Sequence, residues 1–250
     1  MKLITLNTWG GKVTKPLTKF ITEHIDIDIF CFQEVFHDAK KKTRGDFIGA
    51  HLELYTHLQS LLPNHSSFFS STVDDYYGNA SFVKKDFDVH SSGDIRIFEN
   101  PAYSGKGGNH MRKMLWLEIS GGKLGKNMIA ILNVHGLWNG KGKSDTPDRI
   151  EQSKRIKEFM DSMKIPKILC GDLNLLPHTE SLKMLEKNMQ NMIKEYKVTS
   201  TRTSLYTRAE TNGEFADYIF LSPNFKVHDF KVLPDEVSDH SPLYLEFNLP

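Results

Sequence analysis

KILCGDLN, residues 167–174, is the stretch from which the rest of the chain can be read. A short apolar run, KILC, reaches a glycine and then sets Asp172 and Asn174 two positions apart. At the end of a strand that spacing projects both side chains to one side. One is an anion able to position a water, the other a neutral donor. A turn in which Asp172 caps the next segment would account for the same letters, but the pattern recurs. Apolar strands also end at Asn7, at Gln33-Glu34 and at His135, another is entered at Asp217, and Asp239-His240 precedes the last one. Hard oxygen ligands and imidazoles repeated at strand ends indicate strands that converge on one site.

Around these ends, short β-rich runs alternate with amphipathic stretches. Strands are expected at 3–7, 27–35, 79–84, 86–90, 113–119, 127–134, 167–170, 216–221, 225–233 and 243–248. Helices are expected at 14–24, 46–62, 146–162 and 179–188. The third starts at Asp145 or Thr146, with Pro147 at the first helical position and Ile150, Ile156, Phe159 and Met160 as its apolar face. No fixed-period repeat, low-complexity tract or linker interrupts the chain, which reads as one domain spanning 1–250.

With 39% hydrophobic and 25% charged residues among 250, the chain can bury a large core without disulfides. Cys31 and Cys170 each sit in an apolar run and read as small hydrophobes. Thirty-two Lys and Arg against 31 Asp and Glu leave a net charge of +1, which lacks the basic excess of proteins that grip long duplex DNA. The sequence shows neither a secretory leader nor an apolar run near the roughly 20 residues that span a bilayer. A cytoplasmic monomer without membrane insertion is the expectation.

Each strand-end residue has a bland alternative. Glu34 could face solvent, but a carboxylate directly after a fully apolar strand is costly if buried unpaired, and a hard cation such as Mg²⁺ removes that cost. His240 could be a surface histidine and Asp239 a turn residue; Asp217, entering the strand of FADYIFLS, is a carboxylate able to orient His240. His135, in LNVHGLW, could be a core histidine bonded to backbone, and gains a chemical role only in the company of the other strand ends.

In order along the chain, LNTW (6–9), FQEV (32–35), YGNA (77–80), NVHG (133–136), GDLN (171–174), DYIFLS (217–222) and SDHSP (238–242) resemble the endonuclease/exonuclease/phosphatase superfamily, which includes deoxyribonuclease I, exonuclease III, tyrosyl-DNA phosphodiesterases, sphingomyelinases and inositol polyphosphate 5-phosphatases. The resemblance covers nearly the whole chain, and the GDLN and SDH pieces are its most specific part. It implies an α+β fold, a four-layered α/β/β/α sandwich of two packed mixed sheets flanked by helices, with the site at one rim. It implies Mg²⁺, with Mn²⁺ as substitute, held by Glu34 with Asn7 and Asp239 near the metal or its waters. Asp172 would orient the attacking water, Asn174 would hold a phosphate oxygen, His240 with Asp217 would stabilise developing charge, and His135 would be a second imidazole donor. Asn79 and Trp138 are the expected substrate contacts. Two departures, Trp9 in place of an acidic residue and NVHG in place of a tyrosine-bearing segment, point away from abasic-site repair.

The resulting expectation is hydrolysis of a phosphodiester in short or single-stranded nucleic acid, with Trp9, Tyr76, Tyr77, Tyr103 and Trp138 available to stack on bases. The alternative is a phosphodiesterase or phosphatase for a lipid head group, an inositol phosphate or another small phosphorylated metabolite. GKS at 142–144 is no phosphate loop, because Leu137 stands where that loop needs glycine. His51, His57 and His65 lack paired-ligand spacing and read as surface residues. The basic loops 37–46 and 139–143 follow Glu34 and His135 and are expected to border the site; a third lies at 103–113.

Overall fold

The computed structural model describes residues 1–42, 47–105, 108–207 and 214–249. Strands β1 (Lys2–Asn7) and β2 (Ile29–Phe36) run parallel, and their apolar side chains are buried on both faces, as strands inside a layered protein must be. Alternation along them sorts the core. Leu3, Ile29 and Cys31 face one way, while Ile4, Phe30 and Phe32 face the other. Strands β3 (His65–Val73) and β4 (Tyr77–Lys84) extend this sheet on one side, and β11 (Lys226–Val232) and β12 (Leu243–Asn248) on the other, in the order β11-β12-β1-β2-β4-β3.

The second sheet has β5 (Phe87–Phe98), β6 (Arg112–Gly121), β7 (Gly125–His135), β8 (Lys167–Asp172), β10 (Asp217–Leu221) and β9 (Gln190–Asn191) in that spatial order. Its β7 and β8 are parallel and the other neighbours antiparallel, so both sheets are mixed. Helices α1 (Thr14–Glu23) and α2 (Leu54–Leu61) cover the outer face of the first sheet through Leu17, Phe20, Leu54 and Leu58. Helices α3 (Pro147–Ser162), α4 (Glu180–Glu186) and α5 (Met192–Glu195) pack on the second through Ile156, Met160, Leu182 and Ile193. The result is the expected two-sheet α+β sandwich.

Near the rim the sheets are joined by polar atoms. Asn133 is fully buried; its Nδ2 donates to the carbonyls of Phe32 (3.2 Å) and Ala80 (3.0 Å) on the opposite sheet, and its Oδ1 accepts from Gln33 Nε2 at 2.8 Å. Buried polar groups that satisfy one another in this way fix the register of the two layers.

Several elements differ from the sequence reading. The helix expected over 46–62 is confined to Leu54–Leu61, because His51 N–H is bonded to Gly10 O and holds the preceding segment against the turn after β1; position 46 itself lies outside the described residues. The strand at 86–90 continues to Phe98, and a further strand forms at His65–Val73, whose serine-rich pattern suits the sheet edge it occupies. In α3, Ile150 and Phe159 are only half-buried, whereas Arg149, Gln152 and Ser153 are buried. The helix docks through polar atoms: Gln152 Oε1 accepts from Leu137 N–H, and Arg149 donates to the carbonyls of Gly142 and Ser144. Thr146, not Asp145, caps α3; Asp145 instead accepts from the first N–H groups of α4. His65 is buried, bonded through Nε2 to Ile27 O, and His51 and His57 are half-buried and stacked, so the three are not surface residues. No helix among the described residues is long and apolar enough to cross a membrane.

Candidate active site

The parallel pairs β1–β2 and β7–β8 bring their C-terminal ends to one rim. Asn7 is registered with Gln33, His135 with Asp172, and Asp217, on antiparallel β10, with the same Asp172. Gly171 must be glycine, since a Cβ there would lie 2.1 Å from Val134 O. Trp9, Glu34 and Asn174 all adopt φ between +52° and +58°, which side chains other than glycine rarely do. Such strained positions cluster at functional sites, and here a register shift between Phe32 and Val35 turns Glu34 into the rim.

Asp172 is the centre of the arrangement. Its Oδ1 accepts from Asn174 N–H (2.8 Å) and its Oδ2 from Asn7 Nδ2 (2.9 Å). His135 Nε2 and His240 Nε2 each stand 3.7 Å from the same Oδ2, too far for a direct hydrogen bond and close enough to share a ligand. Burial opposes its ionised form, yet the positive surroundings of His240, Arg202 and Lys143 win and hold the carboxyl well below the usual range.

The two histidines are in different states. His240 Nδ1 donates to both oxygens of Asp217, at 3.0 and 2.8 Å, and although burial pulls its pKa down, Asp217 outweighs that and raises it. His135 lacks a carboxylate at Nδ1. There it faces Arg112 Nη1 at 3.3 Å, and because a guanidinium can only donate, Nδ1 accepts and the ring proton sits on Nε2. Burial, with Arg112's charge, pushes His135 down to about 3, so it is a neutral donor. Asp172, Asp217 and His240 offer three ligand atoms within 4.8 Å of one another. Asp217 is already committed to His240 Nδ1, so the three atoms are not all free to face a metal.

Glu34 keeps about a quarter of its side chain accessible, at 26%, and its Oε1 accepts from Asn7 Nδ2 at 3.1 Å. Burial raises its pKa, and the nearby charges of Asp239 and Asp172 raise it further. Carboxylates crowded in this way at a cavity wall fit a hard divalent cation, which would relieve both the desolvation and the repulsion. Glu34 and Asp239 are the oxygens suited to hold it. Asn7 accepts from Trp9 N–H through Oδ1 at 3.0 Å, and its NH₂ steadies Glu34 and Asp172. We expect Glu34→Gln to lose most Mg²⁺ affinity, because a neutral amide replaces the charged ligand. Titration calorimetry checks this, and an unchanged affinity would remove Glu34 from the metal site.

These groups open into a cavity of about 780 Å³. Trp138 lines it, as do Trp9, Tyr76, Tyr77 and Tyr103. Asn79 does not: it is fully buried between the sheets, its Nδ2 shared by the carbonyls of Lys113 (3.0 Å) and Asn133 (3.4 Å), because its position on β4 faces inward. The loop at 139–143 does border the cavity, delivering Lys143, whereas the described residues 37–42 of the first loop do not line it and Tyr103, His110 and Arg112 of the third do; residues 43–46 and 106–107 lie outside the described residues. Sequence reasoning missed Arg112, Lys143 and Arg202 as individual wall residues. The first two lay in loops noted only as basic, and Arg202, in STRTSLY, carries no local signal.

A two-sheet sandwich with acidic and imidazole side chains gathered at one rim defines a class of hydrolases that act on phosphate esters. The chain belongs to the Endonuclease/Exonuclease/phosphatase family, whose model matches residues 4–240, and it is a phosphoester-hydrolysing enzyme of that family. Among solved structures it is similar to a mannosyl-6-phosphatase of Bacteroides thetaiotaomicron, with 21% identity, 99% of each chain covered and a TM-score of 0.75. It is similar also to the human Nocturnin catalytic domain with bound sulfate, with 19% identity over 100% of this chain and 93% of that one and a TM-score of 0.68. A humanized TDP2 of D. rerio has 14% identity, 99% and 98% coverage and a TM-score of 0.70. No curated protein sequence matches the chain.

Proposed function

We propose that the protein is a Mg²⁺-dependent phosphodiesterase that cuts short or single-stranded nucleic acid by attack of water. The observation that carries this reading is Asp172, with the Nε2 atoms of His135 and His240 each 3.7 Å from its Oδ2. Asp172 orients the water and accepts its proton. His135 and His240 donate from Nε2 to phosphate oxygens, and Asp217 holds the His240 ring and its charge. Asn174 Nδ2, whose contact with Gly136 O is a long 3.4 Å, is available to a third oxygen. Water's oxygen bonds to phosphorus as the ester P–O bond breaks, and the proton that Asp172 took from water passes by way of solvent to the leaving alkoxide, which departs as the alcohol. Glu34 and Asp239 are the residues that would hold Mg²⁺, which when bound would supply Lewis-acid stabilisation of the phosphoryl charge. The aromatic wall of Trp9, Tyr76, Tyr77, Tyr103 and Trp138 gives bases surfaces on which to stack.

A second reading, a small phosphorylated metabolite, inositol phosphate or lipid head group, is favoured by buried cations at the cavity wall: Arg112 is 2% and Lys143 1% exposed. A panel of short oligonucleotides, a chromogenic phosphodiester, sphingomyelin and inositol phosphates, each with Mg²⁺, with Mn²⁺ and with chelator, separates the two. We expect the oligonucleotides and the chromogenic diester to be cut with either metal and not with chelator. Faster turnover of sphingomyelin or an inositol phosphate would move the substrate to the second class, and no turnover of any ester would end both readings.

A further inference from the structure

Arg202 takes no part in the steps above, yet the fold places it firmly. Residue 202 forms an isolated antiparallel bridge with His240, Thr203 N–H bonds to Asp239 O, and Ser241 N–H bonds to Thr201 O, so the backbone carrying Arg202 is fastened to the loop of Asp239 and His240. Thr201 Oγ1 in turn accepts from the N–H groups of Ala216 and Asp217. The side chain is only 8% exposed, lies in the cavity wall, and has its guanidinium 4.2 Å over the Tyr206 ring. It touches Asp239 Oδ2 at 3.4 Å, and its buried Nε has no hydrogen-bond partner among the described residues. Lys143 is 1% exposed, lines the same cavity and sits 5.8 Å from the same tyrosine ring. Its Nζ donates to Phe215 O at 2.6 Å, and burial, then the charge of Arg202, push its pKa down to about 8.

Two cations confined over one ring beside the reacting centre carry a desolvation cost that an anionic ligand offsets. We propose that Arg202 and Lys143 form a subsite for a terminal phosphate. A diester phosphate carries one negative charge, whereas a terminal phosphate carries about 1.5 to 2 at pH 7 and has three oxygens free for a planar guanidinium and an ammonium. The subsite rests on the phosphoesterase reading and deepens it: the enzyme works at phosphorylated ends. The terminal phosphate is either the group cleaved or the neighbour of a cleaved diester, and both present the same chemistry to Arg202.

The test has a binding arm and a turnover arm. Inorganic phosphate is titrated by calorimetry into metal-free protein in chelator, for the parent, Arg202→Gln and Arg202→Lys, each checked for folding by circular dichroism. We expect phosphate affinity to fall about 10- to 100-fold in Arg202→Gln, the worth of a charge-assisted hydrogen bond, and less in Arg202→Lys. With Mg²⁺, kcat/KM for a thymidine dinucleotide phosphorylated at its 5′ or 3′ end should exceed that of the unphosphorylated dinucleotide at least tenfold in the parent, and the ratio should approach one in Arg202→Gln. Release of inorganic phosphate from thymidine monophosphate identifies the terminal phosphate as the scissile group; release of a nucleotide from the phosphorylated dinucleotide places it beside the scissile diester. Equal phosphate affinity in parent and Arg202→Gln, or a preference that survives the substitution, overturns the subsite. If Arg202→Gln fails to fold, the comparison with Arg202→Lys decides by the same criteria. Arg202-dependent phosphate binding without turnover of any ester would retain the subsite and reject the activity.

Discussion

Asp172→Asn should give a folded protein with kcat lower by about 10² to 10⁴, the usual consequence of losing a positioned general base. The geometry adds a second effect. Both carboxylate oxygens accept from fixed donors, Asn174 N–H at 2.8 Å and Asn7 Nδ2 at 2.9 Å, and Asn7 cannot turn over because its Oδ1 is engaged by Trp9 N–H. An amide at position 172 must therefore set an NH₂ against one of these donors, at a cost of roughly 1–3 kcal/mol. Rate assays with thermal unfolding of the same sample check both consequences. Activity within a few-fold of the parent would show that another group activates the water; an unchanged melting temperature would show that the donors rearrange freely.

The second large effect concerns the histidines. His240→Ala should lose about 10² to 10⁴ in kcat/KM, and Asp217→Asn added to it should cost little more, since the carboxylate has no ring left to hold. The 2.8 and 3.0 Å contacts of His240 Nδ1 with Asp217 are the physical basis, and His135 faces Arg112 instead, so His135→Ala combined with Asp217→Asn should be closer to additive. A double-mutant cycle measures both. The same pair sets the pH dependence. Asp217 raises His240 above its ordinary 6.5, so the cation and its contribution persist through that value and are lost as pH rises through the folded pKa. In Asp217→Asn burial and the positive charge of Arg202 still lower it, opposed by the smaller effect of Asp172. NMR titration of the metal-free protein should show the His240 resonance moving to lower pH in the mutant; a ring that titrates at the parental value would mean that Asp217 does not hold its charge.

The local sequence determined the strands and what stands at their ends. A strand's side-chain period and an apolar run are properties of neighbouring residues, so Asn7, Glu34, His135, Asp172, Asp217 and His240 could be named without coordinates. The same reasoning erred where burial depends on the partner layer. Asn79 has the letters of a rim residue, but its β4 position faces the other sheet, and α3 buries Arg149 and Gln152 because loop carbonyls and an N–H lie opposite them. The hydrogen-bond partners within the site were decided by tertiary structure. Asn7 meets Asp172 across 165 residues of chain, Arg112 fixes the tautomer of His135 across 23, and Arg202 reaches the centre because a backbone bridge ties it to His240. Hydrogen-bond direction, protonation state and the grouping of buried cations all depend on which atoms face each other at about 3 Å. Sequence spacing carries no such distances between strands brought together by the packing of two sheets.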